Sequence, residues 1–524
     1  MTRRIIPGLA GVPESVDVVV VGLGVTGAGV ALDAASRGLS VLAVDAFDLA
    51  WGTSRFSSKL VHGGLRYLAS GQVGIAHESA VERGILMETT APHLTRPMPT
   101  LLPLAAGVSR PMGALARAGL LGGDLLRRVA GTSADTLPRP RKLTAAETRR
   151  LAPTLRPDGL RGAVLGWDGQ LEDDARLVTT IARTAVERGA AVHTHTRVTS
   201  ASGTEVALRD ELTGATTVVR ARVVVNAAGV WAGDLVEDIR LRPSRGTHLV
   251  LRGESLPGLG AAVFAPIPGE RNRFVLVLPQ PDGQVYVGLT DEPADGPVPD
   301  VAQPTEVEIG FLLDVVAASF SRSLRRSDVV GAYAGLRPLL DTSTGPAGST
   351  GEESTADLSR KHAVLTSPSG VVTIVGGKLT TYRRMAEDAV DAAVAHAGLS
   401  AGPCVTATLP LAGAAPRTEL AERAERAGSP GEARLVRRFG TDADLVLATA
   451  REVTGLTVDE LLAPPSPTIP VTLAELVFGV THEGAATVDD LLDRRTRVGL
   501  IPADRPVVVP LAERALGFAR AAHS

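Results

Sequence analysis

The sequence predicts an α/β protein. It has a discontinuous Rossmann-like nucleotide-binding domain, an inserted domain built on antiparallel sheet, and a small C-terminal helical domain. Three observations predict it. An apolar strand, Val18-Val-Val-Val21, runs straight into Gly22-Leu-Gly24-Val-Thr-Gly27-Ala-Gly29 and then an Ala-rich helix. Two more apolar strands, ending at Asn226 and Val375, also open into glycine-containing turns. From about residue 402 the chain turns helical, with repeated helix-start signals.

The first element is the most specific. In such a unit the first glycine allows the tight turn, the second lets backbone approach a pyrophosphate, and the third lets helix and strand pack closely. The helix N-terminus adds orphan N–H groups and positive potential. Gly38 ends the helix, and the next strand, Ser40 to Val44, ends in Asp45, placed to accept hydrogen bonds from an adenosine ribose. NAD and FAD both use this unit, and three features favour FAD. Trp51-Gly-Thr53-Ser54 offers hydroxyls and N–H groups for a second pyrophosphate contact. Val223-Val-Val-Asn226 opens into Ala-Ala-Gly229-Val-Trp231. Val371 to Val375 ends in Gly376-Gly377-Lys378-Leu379-Thr380-Thr381-Tyr382 and enters a helix from Arg383 to Ala397. That helix start points at something anionic, such as the pyrimidine edge of a reduced flavin. Turns this far apart in sequence, converging on one nucleotide, suit an extended cofactor.

The run Phe56 to Leu68 crowds two hydroxyls, Lys59, His62, a glycine pair and Arg66-Tyr67 into one turn-rich segment, as a ligand-presenting loop does. Lys otherwise occurs only at Lys142, Lys361 and Lys378, and Tyr only at Tyr67, Tyr286, Tyr333 and Tyr382. All of these tyrosines and two of the lysines fall in predicted functional segments, which points to function.

A chain of 524 residues exceeds one core. Residues 14–401 are expected to form one discontinuous region around the nucleotide, with nucleotide-binding parts at about 14–100, 151–240 and 328–401. Its substrate parts lie at about 101–150 and 241–327, and residues 402–524 form the helical domain. A net charge of −3 argues against a general nucleic-acid binder. The single Cys404 excludes an internal disulfide framework and a Cys-rich metal site, so no metal is expected and a reducing cytosol is the simplest setting. The N-terminus lacks a signal-type apolar region, and no apolar run approaches the ~20 residues that span a bilayer. Phe274 to Leu278 and Gln284 to Thr290 flank Pro-Asp-Gly283, a hairpin signal. Asp341 to Ser359 reads as a mobile loop. Asp173-Asp174 caps a helix from Ala175, and Ser429 to Glu432 and Thr472 to Glu475 read as capping boxes.

The segments Asp17 to Gly29, Gly52 to Leu68, Ala334-Gly-Leu-Arg-Pro-Leu339 and Gly376 to Arg383 together resemble the FAD-dependent glycerol-3-phosphate dehydrogenases, within the glycine/D-amino-acid-oxidase group of flavoproteins. The run His482-Glu483 to Arg497 is similar to the helical domain that closes those enzymes. The resemblance implies FAD, oxidation of sn-glycerol 3-phosphate and a membrane quinone as acceptor. An oxidase using oxygen, another FAD-dependent oxidase of the same fold, and a non-catalytic flavin-binding module are the alternatives. Arg66 and Arg337 are the expected phosphate clamps, because a guanidinium fork matches phosphate oxygens, and Tyr67 adds a hydroxyl. The base is His248 or Lys378, and Asp291 orients a cation or a substrate hydroxyl. Expected cofactor contacts are Gly22, Gly24, Gly27, Asp45, Thr53, Ser54, Ser58, Lys59, His62, Gly63, Val198, Gly229, Trp231, Gly377, Leu379 and Thr380. Between Arg96 and Lys142, Arg110, Arg117, Arg127, Arg128, Arg139 and Arg141 are interleaved with Met112, Leu115, Leu120, Leu121, Leu125 and Leu126, a composition that suits either an ordinary helix covering the substrate domain or a segment that docks on an anionic membrane without spanning it. A homodimer is compatible with the sequence.

Overall fold

Valines 18–20 are almost wholly buried at the centre of a sheet. The computed structural model describes residues 4–64, 72–105, 110–270, 273–341 and 362–523. Arg66, Tyr67, Lys361 and nearly all of the expected loop Asp341 to Ser359 lie outside the described residues. Among the described residues nine strands form this sheet. Its parallel centre runs Ala191–Thr194, Val41–Val44, Ser15–Val21, Thr216–Asn226 and Val372–Val375. Four of them are the strands expected above, ending at Val21, Val44, Asn226 and Val375. Thr216–Asn226 is long because it serves twice. Its first half pairs antiparallel with Glu205–Asp210, and its second half lies between Ser15–Val21 and Val372–Val375. The register puts Val21 opposite both Val44 and Asn226, so Gly22, Asp45 and Ala227 leave the sheet side by side at its carboxyl edge. That edge is where open α/β sheets hold ligands.

Helix Val25–Ser36 packs between Asp174–Glu187 and Tyr382–Ala397. A Cβ on Gly29 would stand 3.0 Å from the Tyr382 ring and 3.1 Å from Ala386, so glycine permits this approach. Asp173 caps Asp174–Glu187 as expected, accepting from the N–H groups of Ala175 and Arg176.

A second sheet, of ten strands among the described residues, is mostly antiparallel. Its order runs Glu292–Pro293, Ser244–Arg252, Gln284–Gly288, Phe274–Pro279, Ala262–Pro266, Thr95–Pro103, Ala163–Leu171 and Leu60–Val61, with Val329–Arg337 also on Ser244–Arg252. The expected hairpin is present: Gln280 N donates to Gln284 O at 2.8 Å, and Gly283 has φ +76°. Leu60–Val61, Thr95–Pro103, Ala163–Leu171 and Val329–Arg337 lie mainly in stretches assigned from sequence to the nucleotide part. The substrate sheet therefore borrows from both sides of the chain.

The C-terminal helices surround a separate core that includes Leu435, Phe439, Leu461, Phe478, Leu492 and Val508. Thr472 and Glu475 form the reciprocal capping box. At Ser429 only half the box forms: its hydroxyl accepts from Glu432 N, while Glu432 accepts from Gly428 N. The helical domain meets the rest through buried ion pairs, among them Arg176–Glu483, Arg438–Asp173 and Arg495–Asp48. Arg127, expected on the surface, is instead buried, bonded to Asp124 and to Thr132 O, because it ties the helix end to the following turn.

His93 lies at this junction, 8% exposed, with neither ring nitrogen partnered. Burial, then Arg183 and Arg176, push its pKa down to about 3. The unfolded chain takes up this proton near pH ~6.5 and the folded chain does not, so folded stability falls as pH drops below that value. His93→Leu is expected to flatten the acid limb by about 1.4 kcal/mol per pH unit between pH ~6 and ~4. Parallel denaturant titrations check this, and an unchanged acid limb would refute it.

Candidate active site and cofactor cradle

Gly22, at φ +97°, turns the chain so closely that a Cβ would lie 2.7 Å from Ala227 O. A Cβ on Gly27 would lie 1.8 Å from Gly22 O, so this glycine is required by helix–strand contact. Gly24 differs. It is the N-cap of Val25–Ser36, no side chain caps it, and a Cβ there would meet only Ser54 Oγ, at 3.1 Å. Ser54 Oγ accepts from Val25 N at 2.9 Å, bringing the Thr53–Arg55 turn against the helix start. Gly229, at φ +60°, likewise faces open space. A helix start with glycine at its N-cap, its first N–H held by Ser54 and a glycine turn open beside it fits a pyrophosphate.

Asp45 accepts from Leu23 N at 2.7 Å and Phe47 N at 2.9 Å. Burial pushes its carboxyl up to about 6 despite those bonds. Each oxygen retains acceptor capacity for a ribose hydroxyl. Val198 lies two residues beyond Thr196, whose N–H donates to Asp45 O at 2.7 Å. Trp231 stands over Gly52, where a Cβ would approach its ring to 2.7 Å.

The next loop joins the two sheets. Thr53 Oγ1 donates to Leu336 O, and Tyr333 OH to Ser57 O at 2.9 Å. Lys59, in the left-handed region at φ +57°, turns its ammonium inward to Asp174 Oδ2 (2.8 Å) and Arg55 O (2.6 Å), so what it presents outward is backbone. Ser58 Oγ lies 2.9 Å from His248 Nε2. His62 N donates to Thr380 Oγ1 at 3.1 Å, and its ring meets Asp168 at 3.2 Å. Gly63 N also donates to Asp168, which Arg83 pairs at 2.7 Å. A Cβ on Gly63 would meet that guanidinium at 2.1 Å, so a side chain there would have to displace Arg83. Lys378 Nζ donates to Ser79 Oγ at 3.0 Å, after two glycines of positive φ, Gly376 and Gly377; Leu379–Thr381 follow as a short turn of helix.

On the substrate sheet, Ser244 pairs in register with Arg337 and His248 with Tyr333. Arg337 Nη1 donates to Asp291 Oδ1 and Ser244 Oγ, both at 3.0 Å, and a Cβ on Gly246 would meet its Nη2 at 2.4 Å. His248 is stacked on Tyr333, with ring centroids 4.8 Å apart. Burial, then the charges of Lys59 and Arg337, hold it well below the usual imidazole range, so it is neutral at physiological pH. The structure thus brings together Ser58 with His248, Arg337 with Asp291, and His62 with Thr380.

Sequence reasoning missed Ser244, Asp168, Arg83 and Ser79. Asp168, an acid inside the apolar strand Ala163–Leu171, carried a readable signal. Ser79 and Arg83 gain meaning only once their helix is docked. Among the described residues no cluster of His, Cys, Asp and Glu has a metal-binding arrangement.

Residues 17–383 match the model of the FAD dependent oxidoreductase family, and residues 404–516 that of the C-terminal domain of alpha-glycerophosphate oxidase. The chain is 53% identical over 502 residues to glycerol-3-phosphate dehydrogenase 1 of Mycobacterium tuberculosis, covering 96% of this chain and 95% of that one. It is 32% identical over 518 residues to the aerobic glycerol-3-phosphate dehydrogenase of Staphylococcus aureus, covering 92% and 87%. The structure superposes on a glycerol-3-phosphate dehydrogenase from Bacillus halodurans complexed with FAD, with TM-score 0.73 and 29% identity over 96% of this chain and 91% of that one. A cradle of this form, matched along nearly its whole length, places the chain in the FAD dependent oxidoreductase family, among the glycerol-3-phosphate dehydrogenases.

Proposed function

We propose that this enzyme oxidises sn-glycerol 3-phosphate to dihydroxyacetone phosphate and passes the electrons to a membrane quinone. The observation that carries the reading is the pairing of a half-buried guanidinium, Arg337, with a neutral, buried imidazole, His248, on adjacent strands tied to the Thr53–Lys59 loop. Arg337 binds the phosphate, held in one direction by Asp291 and Ser244. The family resemblance assigns Arg66 and Tyr67 to the same clamp. When bound, FAD supplies the hydride acceptor, flavin N5, for the C2 hydrogen. His248 takes the C2 hydroxyl proton at Nε2, where Ser58 Oγ already stands 2.9 Å away. Lys378 stays a donor, as its bond to Ser79 illustrates, and faces developing negative charge. Anaerobic addition of glycerol 3-phosphate is expected to bleach the bound flavin, and failure to do so sinks the substrate assignment. Slow recovery in air is expected of a dehydrogenase, and fast recovery favours an oxidase.

Quinone reduction requires docking on a bilayer. Among the described residues no helix is long and apolar enough to cross a membrane. Helix Arg110–Val129 instead exposes Leu121 (53%), Leu125 (62%) and Val129 (64%), four residues apart and so on one face, with Arg128 nearby. That stripe, more than the arginines alone, supports interfacial docking. Changing Leu121 and Leu125 together to Glu is expected to weaken co-sedimentation with anionic vesicles roughly tenfold or more, since each leucine contributes about 1–2 kcal/mol on partial burial. Undiminished binding would move the docking face elsewhere.

A further inference from the structure

The segment from Asp45 to Arg55 carries the proposed ribose acceptor at one end and the pyrophosphate hydroxyls of Thr53 and Ser54 at the other. Leu49 and Ala50 pack into the nucleotide-domain core and Ala50 N donates to Leu23 O at 3.0 Å, but the carboxylate between them and Asp45 is held from elsewhere. Asp48, fully buried three residues past Asp45, is instead held by the C-terminal domain: Arg495 Nη2 donates to Oδ1 at 2.8 Å, Arg495 Nη1 to Oδ2 at 2.9 Å, and Arg494 Nε to Oδ2 at 2.6 Å. Both arginines are almost wholly buried, so solvent does not screen these contacts. Arg494 also lies over the Trp51 ring, 4.8 Å from its centroid, and Trp51 stacks on Phe47 at 4.3 Å. The same helical turn grips the segment from two further directions. Asp490 binds His195 Nε2 at 3.1 Å, and the His195 N–H donates to Phe47 O. Asp493 faces Arg55 at 3.6 Å.

We propose that Asp490-Leu-Leu-Asp-Arg-Arg495 is a cofactor-positioning element, through which the helical domain holds the adenosine and pyrophosphate end of FAD by way of Asp48. The proposal rests on adenosine lying at Asp45. Asp48, Arg494 and Arg495 are positioning residues that act through the loop and touch no ligand. A bidentate fork fixes two atoms of the carboxylate, so it sets the direction of the loop as well as its attachment. Domain attachment in general would not be so local. Arg183 joins Asp442 of the same helical domain at 2.7 Å, from the far part of helix Asp174–Glu187, and gives an internal comparison.

The test titrates FAD, and separately ADP, onto the apoprotein of Asp48→Asn, Arg495→Lys and Arg183→Gln. ADP carries only the half of the cofactor that this element positions. FAD and ADP dissociation constants are expected to rise together, roughly ten- to a hundredfold, in the first two variants, as for loss of a buried charge-assisted contact. Arg183→Gln is expected to lower the apoprotein melting temperature and leave both constants unchanged. Arg495→Lys keeps the charge without the fork and carries the test if Asp48→Asn does not fold. Three results overturn the proposal: unchanged FAD and ADP binding in both loop variants, weaker FAD with unchanged ADP, or equal weakening in Arg183→Gln. If Gly24→Val loses FAD while both loop variants bind normally, the cofactor placement stands and this inference alone fails.

Discussion

Gly24→Val is expected to yield a folded, colourless apoprotein. The substituted residue tolerates the backbone, since φ is −70° and ψ −175°, an extended conformation that valine adopts readily. Nothing but Ser54 Oγ lies within 4 Å of the new Cβ, so the core is not disturbed. The side chain instead fills the approach to the start of helix Val25–Ser36 and displaces Ser54 from Val25 N. Several charge-assisted hydrogen bonds to a pyrophosphate are lost at about 1.5–3 kcal/mol each, which raises the FAD dissociation constant roughly a hundredfold or more. Flavin absorbance after gel filtration reads occupancy, and circular dichroism reads folding. Full flavin occupancy would show that the pyrophosphate lies elsewhere. Gly27 would be a poor choice for this experiment, because a Cβ 1.8 Å from Gly22 O breaks the strand–helix contact itself.

Arg337→Lys should lower kcat/KM for glycerol 3-phosphate roughly ten- to a hundredfold, or about 1.5–3 kcal/mol. Lysine keeps the charge but is a single ammonium. It cannot hold Asp291, Ser244 and Thr290 O, as the guanidinium does, and also offer a fork to phosphate. Arg337→Ala is expected to cost more, because it removes the charge as well as the fork from beside Asp291. Steady-state kinetics on both variants, with flavin occupancy matched, test this. Wild-type kinetics in Arg337→Lys would remove the residue from the clamp.

The nucleotide unit was legible because its constraints are local. Four valines, three glycines and an acid at the end of the next strand specify turn, approach and contact within 30 residues. The hairpin at Gly283 and the cap at Asp173 were legible for the same reason. The inward turn of Lys59 was not, since it depends on Asp174, 115 positions later. The burial of Arg127 was hidden too. A basic residue beside apolar neighbours reads as a surface group until Asp124 and Thr132 are seen to satisfy its donors. Beyond that hairpin, the composition of the substrate sheet escaped periodicity. Leu60–Val61 is two residues long, and Val329–Arg337 belongs by pairing to Ser244–Arg252 rather than to its sequence neighbours.

The order of the parallel strands has a consequence for synthesis. Ser15–Val21 gains Thr216–Asn226 as a neighbour only after some 200 further residues have been made, and Val372–Val375 arrives later still. At roughly 5–20 residues per second, the first strand waits on the order of ten seconds or more for the strand beside it. Its apolar edge is open during that interval, a state that invites aggregation or chaperone capture. Truncated nascent chains ending near residue 210 should therefore be protease-sensitive throughout this region. Chains extended past 400 should protect it, with added FAD protecting only the longer ones.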